Sequence, residues 1–259
     1  MKQNRIITWA FGGGVQSVAM AVLIKRGLLP LPEYIGMCDT GYERAAVWEY
    51  NNRYTFPMLA DLGTAVDIIP HSYSRVDIEA GNGDLLLPVF TKTGKLPTFC
   101  SSEWKQRSYN RRLRELGYGQ DKPCFKWLGF SLDEYDRMKT TGLKWIENAF
   151  PLLLGYERRY SRTDLEKVIL DFGWPLPPSS ACDFCPNRND KTWQEIKQNE
   201  PGTWQNAVER DRWLRAPEQA EKWGETYLHR AMIPLEEVDF TERETELPLF
   251  TMCGSSCWT

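Results

Sequence analysis

Three short stretches carry residue types that do chemistry: FGGGVQS (11–17), CDTGYE (38–43) and SACDFCPN (180–187). In the first, glycines separate a strand-like apolar run from a helix-like one. A helix start presents free backbone N–H groups and a positive dipole end, so such a loop suits an anion. A plain tight turn is the alternative. Neither GxxxxGK[ST] nor GxGxxG is present, because no Lys-Ser or Lys-Thr follows and the third glycine is missing. In the second, Asp39 stands at a strand's carboxyl end before Thr40-Gly41, where a nucleotide's ribose or adenine would lie. A simple Asx-turn accounts for the same residues. In the third, Cys182 and Cys185 form a CxxC on a turn, a spacing that lets two thiolates face one metal ion or act as a redox pair. Two packed thiols are the plain alternative.

The elements that must position these residues follow from pattern. Residues 5–11, 34–38 and 65–70 read as strands, with helices over 17–27 and 45–62 between them and Pro57 bending the second. Strand–helix–strand–helix–strand order predicts an α/β fold with a doubly wound, mainly parallel sheet. Ligands of such sheets lie at the carboxyl ends of the strands. Residues 71–99 read as a long loop over the site. FKWLGF (125–130) is a further strand, and SLDEYDRMK opens a helix with Ser131 as N-cap and Glu134 completing a capping box. SRTDLEKVILDFG (161–173) repeats that pattern, capped by Ser161 or Thr163. The proline-rich break after it divides the chain into an α/β domain (1–175) and a helical, cysteine-containing C-terminal extension (176–259).

The remaining charged and sulfur-bearing residues admit more than one role. Lys105, Arg107, Arg111, Arg112 and Arg114 make one basic helix on which 107, 111 and 114 share a face and 112 turns away. They suit sulfate, phosphate or a nucleic-acid backbone, or form a solvated face balanced by Glu103 and Glu115. His71 and His229 are the only histidines and lack a recognisable nucleophile partner, so structural roles are expected for both. Cys38 and Cys124 fall in or beside strands and read as core thiols. The 259 residues are 42% hydrophobic and 26% charged with net charge −3, the composition of a globular protein and not of a general nucleic-acid coat. No apolar run reaches the roughly 20 residues of a membrane span, and MKQNRIITW has no signal-peptide core. A cytoplasmic location without membrane association is therefore expected, where seven cysteines point to metal or thiol chemistry rather than structural disulfides.

The glycine stretch resembles the SGGxDS PP-loop of the ATP pyrophosphatase, or adenine nucleotide alpha-hydrolase, superfamily. On that match Gly12, Gly13, Gly14 and Ser17 occupy motif positions, and Gln16 stands where the family has aspartate. DTGYE is similar to the corresponding element of phosphoadenylyl-sulfate (PAPS) reductases. FCSSEWKQR (99–107) resembles their Cys-x4-Lys segment, and WLGFSLDEYDRMK (127–139) their G-[IF]-S-x-D-E-x-x-R element. SACDFCPNRNDKTWQEIK (180–197) and YLHRAMIPLEEV (227–238) look like a PAPS-reductase-like subgroup of phages and bacteria. The resemblance covers nearly the whole chain. One motif departs: the catalytic Glu-Cys-Gly-Leu-His of thioredoxin-dependent PAPS reductases is replaced here by Met252-Cys253-Gly254-Ser255-Ser256-Cys257-Trp258.

The resemblance implies an enzyme that binds ATP or adenylyl-sulfate across Gly12, Gly13, Gly14, Gln16, Ser17, Asp39, Thr40 and Gly41, with Mg2+ bridging the phosphates. It implies catalytic roles for Lys105, Arg137 and Ser17. The family mechanism is attack at the α-phosphate with release of pyrophosphate, coupled to sulfur transfer or to modification of a nucleotide or nucleic acid. Iron–sulfur adenylyl-sulfate reductases carry Cys-Cys, a long gap and CxxC around a [4Fe–4S] cluster. Here Cys100-Ser101 replaces the first pair, so the implied ligands are Cys100, Cys182, Cys185 and, from the tail, Cys257 in preference to Cys253. Zinc held by four thiolates fits the same residues. The implied partners are a small-molecule nucleotide, a sulfur donor or thiol reductant, and a DNA or tRNA acceptor. Two alternatives stand beside this reading: a sulfonucleotide reductase that releases sulfite, and a non-catalytic nucleotide sensor or nucleic-acid-associated partner.

Overall fold

The computed structural model describes residues 6–154, 156 and 158–241. Five strands form one sheet: β1 (Ile6–Ala10), β2 (Tyr34–Cys38), β3 (Val66–Ile69), β6 (Cys124–Trp127) and β7 (Ile146–Ala149). Their spatial order is β3-β2-β1-β6-β7 and every pairing is parallel. The doubly wound α/β class expected from the sequence is therefore the observed one. The register sets Trp9 opposite Ile35 and Trp127, so β6 ends one residue short of β1 and β2 runs two residues beyond it. A small antiparallel pair, β4 (Phe90–Thr91) and β5 (Gly94–Lys95), lies inside the long segment after β3.

Helix α1 (Val15–Lys25) follows β1 and is buried from Val15 to Ile24. It is apolar all round because the sheet covers one side and α5 (Arg162–Leu170) the other. Gly27, at φ +73°, ends the turn that follows it. The second crossover is α2 (Ala45–Tyr50), a π-helical turn (Asn51–Thr55) and α3 (Phe56–Asp61). Pro57 does not break this segment. It sits in the first turn of α3, where its missing N–H costs nothing. The basic segment divides likewise into a π-helical stretch (Ser101–Arg107) and α4 (Ser108–Glu115).

Strand alternation sends Trp9 and Met37 to the α1/α5 side, and Ala10 and Cys38 to the α4 side with Tyr109 and Leu113. A separate apolar cluster joins Ile78, Leu87, Val89 and Trp104 to Trp193, Leu228 and Phe240. It unites the segment after β3 with α6 (Asp190–Asn199), α7 (Pro201–Leu214) and the chain beyond α8 (Pro217–Trp223). The expected long loop over 71–99 is thus pinned down, with Phe90 and Tyr227 exchanging backbone hydrogen bonds. No helix among the described residues is long and apolar enough to cross a membrane.

Two local expectations come out differently. At 161–164 the capping box forms: the Ser161 hydroxyl accepts from the Asp164 amide, and the Asp164 side chain accepts from the Ser161 amide. At 131–134 it does not. Ser131 makes no side-chain cap, residues 132–137 form a 3-10 turn, and Glu134 is pulled to a partner on α1.

Candidate functional site

The strand order reverses between β1 and β6, since the chain leaves β1 toward β2 and later returns to the other side of it. The loops after these two strands diverge and open a crevice at their carboxyl ends, where open α/β sheets bind ligands. The glycine loop lies there. Gly12 donates its amide to the Ser17 hydroxyl at 2.8 Å, and its carbonyl accepts from the Ser180 hydroxyl at 2.6 Å. The Gly13 carbonyl accepts from Asn51 Nδ2 at 3.0 Å. Gly13 has φ +78°, and a Cβ there would stand 3.0 Å from both Met37 and Val47, so glycine is required. Gly14 is the N-cap of α1 and carries no side chain to cover the first-turn amides. The carbonyls are tied away and no side chain caps the helix start, which is the geometry of an oxyanion cradle.

On the β6 side, Gly129 approaches α1 so closely that a Cβ would lie 3.3 Å from the Gln16 Cβ. Gln16 Nε2 donates to Glu134 Oε2 at 2.8 Å. Glu134 also pairs with Arg137, whose guanidinium sits 4.7 Å over the Phe130 ring. Burial pushes the Glu134 carboxyl above the ordinary range, against the pull of Arg137. Arg137 thus borders the crevice through Glu134, and Gln16 is an amide aimed at a carboxylate.

On the β2 side, Asp39 Oδ1 accepts from the Gly41 amide at 2.8 Å, so the Asx-turn is formed. At Gly41, φ +73°, a Cβ would lie 3.7 Å from His71. Thr40 is fully buried, and its hydroxyl lies 3.4 Å from Cys182 Sγ. The next residues join the cysteine turn to this loop. The Asp183 amide donates to the Tyr42 carbonyl at 2.7 Å. Arg44 pairs with Glu200 and donates to the Ser179 hydroxyl at 2.9 Å.

The turn holding Cys182 and Cys185 closes with a 3.0 Å bond from the Cys185 amide to the Cys182 carbonyl. Arg188 clamps it. Nη1 donates to the Asp183 carbonyl at 2.6 Å, and Nη2 donates to those of Ala181 and Cys182 at 3.1 and 2.5 Å. Its guanidinium stacks 5.1 Å over the Trp193 ring. Glu43 is buried beside this turn. Burial raises its pKa, while the charges of Lys105 and Arg188 oppose that. Lys105 is itself only 4% exposed, and its carbonyl accepts from the Cys38 thiol at 3.4 Å.

Direct contacts therefore join 12–17, 39–44 and 179–188 into one site, with Glu134 and Arg137 on its β6 wall. Cys100 packs in the same apolar cluster as Cys182 and Cys185. No group of three or more His, Cys, Asp or Glu side chains among the described residues is arranged to hold a metal ion. Cys257 and Cys253 lie outside the described residues. The strand cysteines behave as expected: Cys124 is fully buried, and burial pushes the Cys38 thiol up to about 12. His229 is a buried structural histidine bonded to Asp190 at 2.9 Å. The sequence reading missed Glu43, Arg44, Ser180 and Arg188. The signal it passed over was a run of charged residues directly after DTG and CxxC, in segments too short to solvate a helix face.

The fold and this site define a parallel α/β protein with a glycine loop at its switch point, welded to a cysteine-bearing turn. No family model matches the chain, and no curated protein matches it. Among solved structures, the U34-tRNA thiolase NcsA from Methanococcus maripaludis with its [4Fe-4S] cluster aligns with 14% identity and a TM-score of 0.42. The alignment covers 83% of this chain and 73% of that chain.

Proposed function

We propose that the chain is an adenine-nucleotide-binding enzyme that activates an acceptor with the α-phosphate of ATP, in support of sulfur transfer or of nucleotide or nucleic-acid modification. The observation that carries this reading is the uncapped start of α1 at the switch point, with the carbonyls of Gly12 and Gly13 tied off by Ser180 and Asn51. The PP-loop resemblance of FGGGVQS and the PAPS-reductase resemblance of DTGYE support it. Phosphates would rest on the amides after Gly13, with the nucleoside over Asp39–Gly41. Ser17 holds the loop's shape through the Gly12 amide. Arg137 and Lys105 supply positive charge on the two walls, and Mg2+ would bridge the phosphates. An acceptor carbonyl oxygen bonds to the α-phosphorus and pyrophosphate leaves. Sulfide then displaces AMP from the activated carbon, forming the carbon–sulfur bond as the carbon–oxygen bond to AMP breaks.

The donor set of Cys100, Cys182 and Cys185 suits a thiolate-bound group, and a fourth ligand would come from Cys257. A [4Fe–4S] cluster held there would supply a site for sulfur, and zinc would supply a rigid clip. Arg188 and Lys105 would offset thiolate charge in either case.

The test is ATP turnover with separate measurement of pyrophosphate and AMP, together with iron, acid-labile sulfide and zinc content after anaerobic purification. Pyrophosphate release that is lost in Gly13→Val supports the reading. Absence of nucleotide binding by calorimetry overturns it. One observation favours sulfonucleotide reduction instead: Cys182 Sγ lies 3.4 Å from Thr40 in the nucleotide loop. Sulfite formed from adenylyl-sulfate in the presence of a thiol would establish that second reading.

A further inference from the structure

Three arginines converge beyond the end of β3. Residues 71–74 form a 3-10 turn that packs on the π-helical stretch 101–107 and on α4. Arg75 ends that turn at φ +62°, one of two non-glycine residues with positive φ among those described. The charge of Arg75 is felt at Arg111, which lies one helical turn from Arg107. Burial lowers the Arg111 pKa, and the charges of Arg75 and Arg107 lower it further.

The nearby acids offset only part of this charge. Glu103 bonds Arg107 at 2.7 Å, and Glu115 is taken by Tyr73 at 2.5 Å and Arg112 at 3.4 Å. Arg112 turns away to Asp67 at 2.7 Å, as the helical pattern requires. Arg75 and Arg111 pair with no carboxylate among the described residues. Arg111 Nη1 is shielded from solvent and has no hydrogen-bond partner. A guanidinium nitrogen shielded from water without an acceptor, and crowded by like charge, is stabilised by a bound anion. Arg114 continues the line, its guanidinium 5.5 Å over the Trp145 ring. From Arg107 to Arg114 the rise is about 10 Å, longer than one phosphate group.

We propose that Arg75, Arg107 and Arg111 bind the backbone phosphates of a polynucleotide, which crosses the molecule past His71 toward the 39–41 loop. The inference names the acceptor class for the activation reaction above. Its test is independent of that reaction, because it needs no nucleotide bound at the glycine loop. The probes are a fluorescein-labelled 20-nucleotide single-stranded RNA and the DNA of the same sequence, followed by anisotropy from 50 to 300 mM KCl. Arg75→Gly fits the left-handed backbone and removes one charge, and Arg111→Gln removes the second. The double variant should bind at least tenfold more weakly, with its log–log salt slope flattened by about 1.4. Arg26→Gln, at the far end of α1, should bind as the natural chain does. Circular dichroism and melting temperature show whether the variants fold, and Arg75→Gly alone should fold and still lose affinity.

Oligonucleotide binding unchanged in the double variant overturns the proposal. So does a natural chain that binds neither oligonucleotide, or that binds poly-glutamate in their place. If the variants weaken ATP or inorganic phosphate binding and spare the oligonucleotides, the arginines serve a small anion and the polynucleotide assignment falls. Failure to bind ATP with oligonucleotide binding intact would overturn the activation reading and leave this one standing.

Discussion

Two regions of this molecule each bury a cation beside two cysteines, and they treat it in opposite ways. In the sheet, Lys126 of β6 lies near Cys38 and Cys124, and its ammonium donates to Asn110 Oδ1 at 3.4 Å. Burial drags its pKa down to about 8. In the turn, Arg188 lies near Cys182 and Cys185 and donates to three backbone carbonyls within 3.1 Å. A guanidinium does not give up its proton, so its charge must be satisfied in place. The same residue types thus make an inert core in one region and an organised site in the other. The difference lies in the backbone. Strand carbonyls are spent on the ladder, whereas a turn leaves its carbonyls for a side chain to collect.

Breaking the clamp should have the largest effect. Arg188→Met leaves three carbonyls without their donor and should cost about 3–5 kcal/mol, read as a lower urea midpoint and loss of any bound metal. Arg188→Lys keeps the charge without the fork and should recover only part. If Arg188→Met melts like the natural chain, the turn does not depend on its arginine.

Lys126→Met tests the other region. A lysine with a depressed folded-state pKa binds its proton less readily than in the unfolded chain. Its contribution to stability therefore rises with pH between about 8 and the ordinary lysine value of 10.5. Lys126→Met should remove that slope and raise stability at pH 7 by on the order of 3 kcal/mol. Melting temperatures of both chains from pH 7 to 10 decide it, and parallel curves would refute the buried-charge account.

Gly13→Ala introduces a Cβ at φ +78° and 3.0 Å from Met37 and Val47. It should cost about 2 kcal/mol and abolish phosphate binding, measured by denaturation and ATP calorimetry. The smallest effect should come from Ser180→Ala, which removes the hydroxyl between the cysteine turn and the glycine loop. About 1 kcal/mol of stability should be lost, and ATP affinity should fall several-fold while the fold stays intact.

Much of the scaffold was legible because the signals are local. The apolar runs at 6–10 and 34–38 and the glycines at 12–14 are contiguous, and Ser161 finds its capping partner three residues away. The unread parts depend on distant partners. Glu134 satisfies the capping-box pattern in sequence, yet Gln16, 118 residues away, captures its carboxylate. β7 carries no apolar run, since Ile146 alone is buried, Glu147 is exposed, and Asn148 and Ala149 are half-buried at the sheet's edge. The two π-helical turns add residues without changing composition, so no pattern marks them. In the site, the glycine and cysteine motifs announce themselves. Arg44 and Arg188 do not, because a buried arginine is written with the same letter as a solvated one.

The bond from Ser180 to the Gly12 carbonyl spans 168 residues. It sets an order on how the chain is made. During synthesis β1 and α1 leave the ribosome early and can pair with β2 at once, but the Gly12 carbonyl lacks its donor until residue 180 emerges. At roughly 5–20 residues per second that delay is on the order of ten seconds to half a minute. Throughout that time the nascent chain holds a sheet with an unfinished loop, and the loop is completed by the same segment that delivers the cysteines.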